Sequence, residues 1–243
     1  SSDVCSSDLD EAAVVRRVDA VRAPRVGRRV VGVDLEGQSA DRAFRRVHDQ
    51  VERVIAGLRP ATSAAHIEAI GAELVRGAAR FVDRRTLPSG DTQIRAHRYV
   101  VATGAATRAP DIAGLDAVPY FTAETILDNT RKLTHLLVIG GTPSALELAQ
   151  AYRRLGSEVT VVAPGPALDG VDQDLAAIAV RRIVEEGVSL REQATVIAIQ
   201  ARSMGIGVVV RSGEGEELLD VSHILVASGR VPMLDGLDLD KAG

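Results

Sequence analysis

Apolar positions recur along this chain in two rhythms, and the change between them marks the elements. Phe44, Val47, Val51, Val54, Ile55 and Leu58 fall at spacings of three and four, which predicts an amphipathic helix over 40–58 closed by Arg59-Pro60. A shorter helix over 62–70 follows and leads to Glu73–Arg76. Short strands are expected around the turn at Pro88-Ser89-Gly90. The run Tyr99-Val100-Val101-Ala102-Thr103-Gly104 reads as a buried strand entering a small-residue turn, and the Pro- and Gly-containing stretch 108–122 reads as a connector. Next comes an apolar run of strand length, Leu136–Ile139, and then a helical pattern with Ala145, Leu148, Ala149 and Tyr152 on one face. That pattern stops at Gly156 and is succeeded by a second apolar run, Val159–Val162. Ahead of all this, residues 10–35 alternate Val and Arg.

The turn at Gly140-Gly141 lies between the first apolar run and its helix, and it carries the clearest chemistry. Glycine allows a sharp turn and lets an anion approach without meeting a Cβ. Thr142 suits the N-cap, and Pro143 suits the first helical position, where its missing N–H costs nothing. The unpaired first-turn amides and the positive end of the helix dipole would then face an anion, as in strand–turn–helix–strand units that hold a dinucleotide pyrophosphate. Against G-x-G-x-x-G only Gly140 matches, since Thr142 and Ala145 occupy the later glycine positions. One βαβ unit of an α/β protein without any nucleotide is the competing reading.

An internal echo strengthens the nucleotide reading. Tyr99–Gly104 is answered by Ile224-Leu225-Val226-Ala227-Ser228-Gly229, each an apolar run followed by Ala, a hydroxyl residue and Gly. Pro follows both, at Pro110 and Pro232. Two copies of one strand-turn device suggest two dinucleotide domains of related construction.

Composition narrows the classes. The 243 residues can form one large domain or two ordinary ones, and the formal charge of -4 does not suggest a nucleic-acid partner. No apolar run approaches the roughly 18–20 residues that span a bilayer, and no secretory leader pattern is present, so a cytoplasmic protein is expected. The single cysteine, Cys5, rules out an internal disulfide, and the five scattered histidines show no metal-ligand spacing. Residues 1–9, SSDVCSSDL, have no periodicity and are set aside as a non-native or disordered leader.

The order VVATG, GLDAVPYFTAETIL, VIGGTPSALELAQAYRRLGSEVTVV and ILVASGRVP resembles the FAD-dependent pyridine nucleotide–disulfide oxidoreductases over nearly all of residues 10–243. The mercuric reductase type is the nearest match, with ALELAQA after the turn and Pro119-Tyr120 and Thr122 in the connector; dihydrolipoamide dehydrogenases come next. The resemblance implies an α/β fold of two Rossmann-like, three-layer ββα dinucleotide-binding domains, the first incomplete: a partial FAD-binding domain over 10–118 and an NAD(P)-binding domain over 119–243. It also implies hydride transfer from NAD(P)H through FAD to a cysteine pair and on to a small-molecule substrate. Residue by residue, Gly140, Gly141, Thr142, Pro143 and Ser144 match the loop on the nicotinamide dinucleotide's pyrophosphate, and Glu147 matches a contact near flavin and nicotinamide. Ala194 matches a backbone contact to the adenosine half, and Ala227, Ser228, Gly229 and Arg230 match the late turn over the nicotinamide half. For FAD, Ala79 matches a backbone contact to adenine, and Thr103 and Gly104 match the turn near the flavin phosphates. A solvated Glu147 and an ion-paired Arg230 are the plain alternatives.

The chain departs from that family pattern in several places. Nothing before residue 77 supplies the flavin domain's opening strand and glycine-rich loop, and the redox cysteine pair is absent. The later flavin-contacting Gly-Asp segment and the C-terminal dimerisation domain of the homodimeric parent are not found either. The expectation is therefore an internal fragment, inactive by itself. At the end of the second strand Ala163-Pro164-Gly165 offers neither the acid that reads a ribose 2′-hydroxyl nor a base for a 2′-phosphate, and the balance leans to NADPH. A two-domain flavoprotein reductase without redox cysteines and a stand-alone NAD(P)-binding module stay open as alternatives. Mercuric ion, lipoamide, another disulfide or a quinone all remain open as substrate.

Overall fold

A computed structural model describes residues 13–15 and 40–243. The 1–9 leader with Cys5, and all of the Val/Arg stretch except 13–15, lie outside the described residues. The elements run β1 (Ala13–Val15), α1 (Ala40–Leu58), α2 (Ala64–Ala69), β2 (Leu74–Arg76), β3 (Thr86–Ser89), β4 (Thr92–Arg95) and β5 (Ala105–Thr107). They continue with β6 (Phe121–Thr122), β7 (His135–Ile139), α3 (Pro143–Arg154), β8 (Glu158–Val162), α4 (Gln173–Glu185) and β9 (Ser189–Arg191). Last come β10 (Thr195–Ala201), β11 (Ile206–Ser212), β12 (Gly215–Val221), β13 (His223–Val226) and β14 (Arg230–Pro232). The chain divides into two units, one of Ser1–Gly32, Arg53–Ala106 and Pro232–Gly243, the other of Val33–Glu52 and Thr107–Val231.

The second unit is built on a five-stranded sheet in the order β6-β13-β7-β8-β9. Every pairing in it is parallel. Parallel sheets are buried on both faces, so their central strands read as nearly continuous apolar runs, and alternate residues serve opposite layers. Leu136 and Val138 of β7 pack with Val159 and Val161 of β8 under α3 and α4, against Ala145, Leu146, Ala149, Ala176 and Ile183. Leu137, Ile139, Val162, Ile224 and Val226 face the other way, onto Val196, Ile199, Val208 and Val210 of the antiparallel meander β10-β11-β12. The meander occupies the layer where a second set of helices would otherwise lie. The result is the three-layer, Rossmann-like architecture expected from the sequence.

α1 forms over the predicted span, but only its first turns are buried: Phe44 is 4% exposed and its ring centroid lies 6.2 Å from that of Tyr152. Val54 and Leu58, at the far end of the predicted apolar stripe, stand half exposed. The second helix is shorter than 62–70, because a 3-10 turn takes Arg59–Thr62 and Ser63 caps α2, its hydroxyl accepting the His66 N–H.

The first unit holds small antiparallel pairs, β1 with β2 and β3 with β4, over a core of Ala79, Phe81, Leu87 and Ile94. Here one expectation fails. Tyr99–Gly104 is not a strand: it runs without regular structure, and Val100 is 91% exposed. A buried parallel strand needs neighbours on both edges and cover on both faces. Among the described residues no strand pairs with this run, while its counterpart Ile224–Val226 is flanked by β6 and β7. Tyr99 serves the small core instead, edge-on to Phe81 at 5.0 Å and donating its hydroxyl to the Arg85 carbonyl at 2.8 Å.

Candidate functional site

Read from one edge, the parallel sheet of the second unit runs β9-β8-β7-β13-β6. The chain moves outward from β7 through β8 to β9, then returns to place β13 on the other side of β7. Strand order therefore reverses between β7 and β13. Such a switch point, at the carboxyl ends of the strands, is where α/β sheets open a crevice for ligands.

Both candidate turns lie there. Gly140 follows β7 with φ +128°, and a Cβ on it would stand 2.4 Å from the carbonyl oxygen of Ala227, which follows β13. Only glycine admits that approach. Thr142 holds the same contact from the helix side: its hydroxyl donates to the Ala227 carbonyl at 2.9 Å and accepts the Ala145 N–H at 3.2 Å as the N-cap of α3. Pro143 begins the helix, as predicted, and the Leu146 N–H bonds the Thr142 carbonyl. Pro143 has no N–H, so the Ser144 amide is the first-turn donor with no described acceptor, and its side chain is exposed. Gly141 packs closely, since a Cβ there would meet Ala163 Cβ at 3.0 Å and Ala167 Cα at 3.3 Å.

The late turn is anchored separately. The Ala227 N–H donates to the Ile139 carbonyl at 2.9 Å, and the Ser228 hydroxyl donates to the Arg108 carbonyl at 3.1 Å. Gly229, at φ +132°, accepts the Arg108 N–H. Arg230 pairs with Glu124 at 3.4 Å, and Glu124 also accepts the Thr107 hydroxyl at 2.8 Å. Burial pushes the Glu124 carboxyl upward, but the Thr122 and Thr107 hydroxyls and the Arg230 charge outweigh it and hold the group below the ordinary glutamate value. Ala194 is buried beside the end of β8, its N–H donating to the Ala163 carbonyl at 3.0 Å. Glu147 is an exposed residue of α3.

The residues assigned to FAD have local roles in the first unit. Ala79 is buried and bridges to Ser89, the Thr103 hydroxyl donates to the Met233 carbonyl, and the Gly104 carbonyl accepts the Met233 N–H at 3.0 Å. Among the described residues of this unit there is no strand–turn–helix able to receive a flavin pyrophosphate. Two further residues, in no recognisable motif, border the glycine turn and the end of β8. Leu168, a non-glycine residue at φ +60°, donates its N–H to the Gly141 carbonyl at 2.8 Å, and Glu192 accepts the Ala167 N–H at 2.6 Å. No periodicity or motif flags either one, because both act through tertiary contacts. Among the described residues no cluster of side chains has metal-ligating geometry, and no helix is long and apolar enough to cross a membrane.

A parallel sheet whose switch point carries a glycine turn, a capped helix and a tethered second turn has the architecture of the Rossmann-like, dinucleotide-binding class of folds. The chain belongs to the pyridine nucleotide-disulphide oxidoreductase family, whose model matches residues 27–243. It is 32% identical over 178 residues to a mercuric reductase of Bacillus cereus, covering 73% of this chain and 28% of that protein. It is 35% identical over 181 residues to a dihydrolipoyl dehydrogenase of Thermus scotoductus, covering 70% of this chain and 38% of that one. Among solved structures it is similar to the HOCl-induced flavoprotein disulfide reductase RclA from Escherichia coli, with a TM-score of 0.69 and 26% identity over 82% of this chain and 46% of that chain. The chain thus spans less than half the length of each of these relatives. The family uses FAD and a nicotinamide dinucleotide, and the named relatives are oxidoreductases.

Proposed function

We propose that residues 119–243 are the nicotinamide dinucleotide-binding domain of a flavoprotein disulfide oxidoreductase, and that 10–118 belong to its FAD-binding part. The observation that carries this reading is the close approach of Gly140 to the Ala227 carbonyl at the switch point, with the Thr142 hydroxyl bridging both turns. That geometry keeps the N-terminus of α3 open to an anion while joining the two turns that a long dinucleotide must lie across.

In this reading the Ser144 amide and the α3 dipole hold the pyrophosphate. Ala163 and Ala194 flank the adenosine half, and Ala227–Arg230 border the nicotinamide half, with Glu147 near the reacting ring. Arg230 is oriented by Glu124, which is itself fixed by Thr107. When bound, the nicotinamide would supply two electrons as hydride, and in a complete, homodimeric enzyme those electrons would serve, by way of FAD and a redox disulfide, to reduce mercuric ion or a disulfide such as lipoamide. The residues described here bind and orient the donor.

The test is an equilibrium titration of the purified 243-residue chain with NADH, followed by nicotinamide fluorescence. Saturable binding that ADP-ribose displaces is expected. Ser144→Glu puts a negative charge on the anion site, where it helps the helix dipole yet repels a pyrophosphate; it should weaken binding about tenfold with no loss of thermal stability. Absence of NADH binding by the folded chain, or a Ser144→Glu variant that binds normally, would remove the proposal.

A further inference from the structure

The strand end at which a Rossmann domain reads the 2′ position of the adenosine ribose is Ala163, and Ala163-Pro164-Gly165-Pro166-Ala167 carries no charge. The fold brings a carboxylate to this place from a different element. The Ala163 N–H donates to the Arg191 carbonyl at 2.9 Å and the Ala163 carbonyl accepts the Ala194 N–H at 3.0 Å, so the turn 191–194 runs alongside the end of β8. Gln193 bends that turn through φ +53°. Between those two tethers sits Glu192, whose Oε1 accepts the Ala167 N–H at 2.6 Å, short enough for a charge-assisted bond. On the opposite side the same loop is tied to the glycine turn by the Leu168 N–H and the Gly141 carbonyl. The nearest basic side chain on the turn, Arg191, is engaged by Glu217 at 3.7 Å.

Resting on the dinucleotide reading above, we propose that Glu192 is the residue that sets the choice between NADH and NADPH. It substitutes for the acid missing at Ala163. One carboxylate oxygen holds the loop through Ala167, and the other keeps acceptor capacity for the hydroxyls of the ribose. The same negative charge opposes a 2′-phosphate, which carries nearly two negative charges at neutral pH. The domain therefore prefers NADH, and the preference for NADPH read from the uncharged strand end is reversed by a side chain 29 positions further along.

Parallel titrations of the full chain with NADH and NADPH test this, using wild type, Glu192→Gln, Glu192→Asp and Glu192→Lys. Wild type should bind NADH about tenfold tighter than NADPH, the scale of one charge repulsion near a protein surface. Glu192→Asp should keep most of that ratio, Glu192→Gln should bring the two affinities together, and Glu192→Lys should invert them. A residue that only supports the loop would lower both affinities and leave the ratio unmoved, which overturns the inference, as does wild type that binds NADPH equally or better. If wild type binds neither cofactor, the dinucleotide reading itself fails and this inference falls with it. If NADH binds and the ratio ignores position 192, only the inference is lost.

Discussion

Gly140 shows how much one backbone angle can decide. At φ +128°, with the Ala227 oxygen 2.4 Å from where a Cβ would stand, Gly140→Ala meets both strain and a backbone clash. It should cost about 2 kcal/mol or more and detach the late turn from α3, measured by urea unfolding beside an NADH titration. Thr142→Val, by contrast, removes a cap and a hydroxyl bridge while leaving the backbone allowed. A loss of about 1 kcal/mol is expected, with Thr142→Ser restoring most of it. The cap, the N1 proline and the Gly156 stop were legible in the sequence because they obey local rules. Glu192 and Leu168 were not, since a carboxylate on one turn gains meaning only from the loop it meets.

At the scale of elements, the apolar runs at β7, β8 and β13 announced their strands, and the 3.6-residue stripe announced α3. Tyr99–Gly104 carries the same kind of run without becoming a strand, because pairing is supplied by neighbours and not by the run itself. The C-terminal ends of α3 and α4 are joined by an ion-pair cluster that no pattern indicated. Arg154 forms two hydrogen bonds with the Glu186 carboxylate, at 2.7 and 2.8 Å, Arg182 adds a third contact at 3.1 Å, and Arg153 donates to the Glu186 carbonyl. The bonds from Arg154, which outweigh desolvation, together with the charges of Arg154 and Arg182, hold Glu186 at about 2 against an ordinary 4.5. A depressed carboxylate contributes stability that is present above its unfolded value and lost as pH falls through its folded value. The stability difference between wild type and Glu186→Gln should thus be full above pH 4.5 and vanish toward about pH 2, as read from urea midpoints across that range. A difference that does not change with pH would show that the cluster contributes nothing through charge.

At the scale of the whole molecule, burial among the described residues is concentrated in the second unit. Its sheet has Leu136, Leu137, Val138, Val161, Ile224, Leu225 and Val226 at 0% exposure between two apolar layers, whereas in the first unit's described apolar cluster, Ala79, Phe81, Leu87 and Ile94, none is at 0%. Amide exchange should therefore be slowest in β7, β8 and β13 and faster throughout β2 to β4, since local opening exposes less apolar surface there. Equal protection in both units would contradict this. What the sequence by itself determined is the set of local devices: runs of strand length, the helix stripe, the caps and the glycine turn, with the family resemblance that their order carries. Such features depend on backbone sterics and side-chain spacing within a few residues. Only the tertiary structure decided that β13 lies beside β7 and so creates the switch point, that Tyr99–Gly104 pairs with no strand among the described residues, and that Glu192 stands at the end of β8. Each of these is a meeting of segments far apart in the chain, and sequence distance carries no information about which surfaces will be buried against one another.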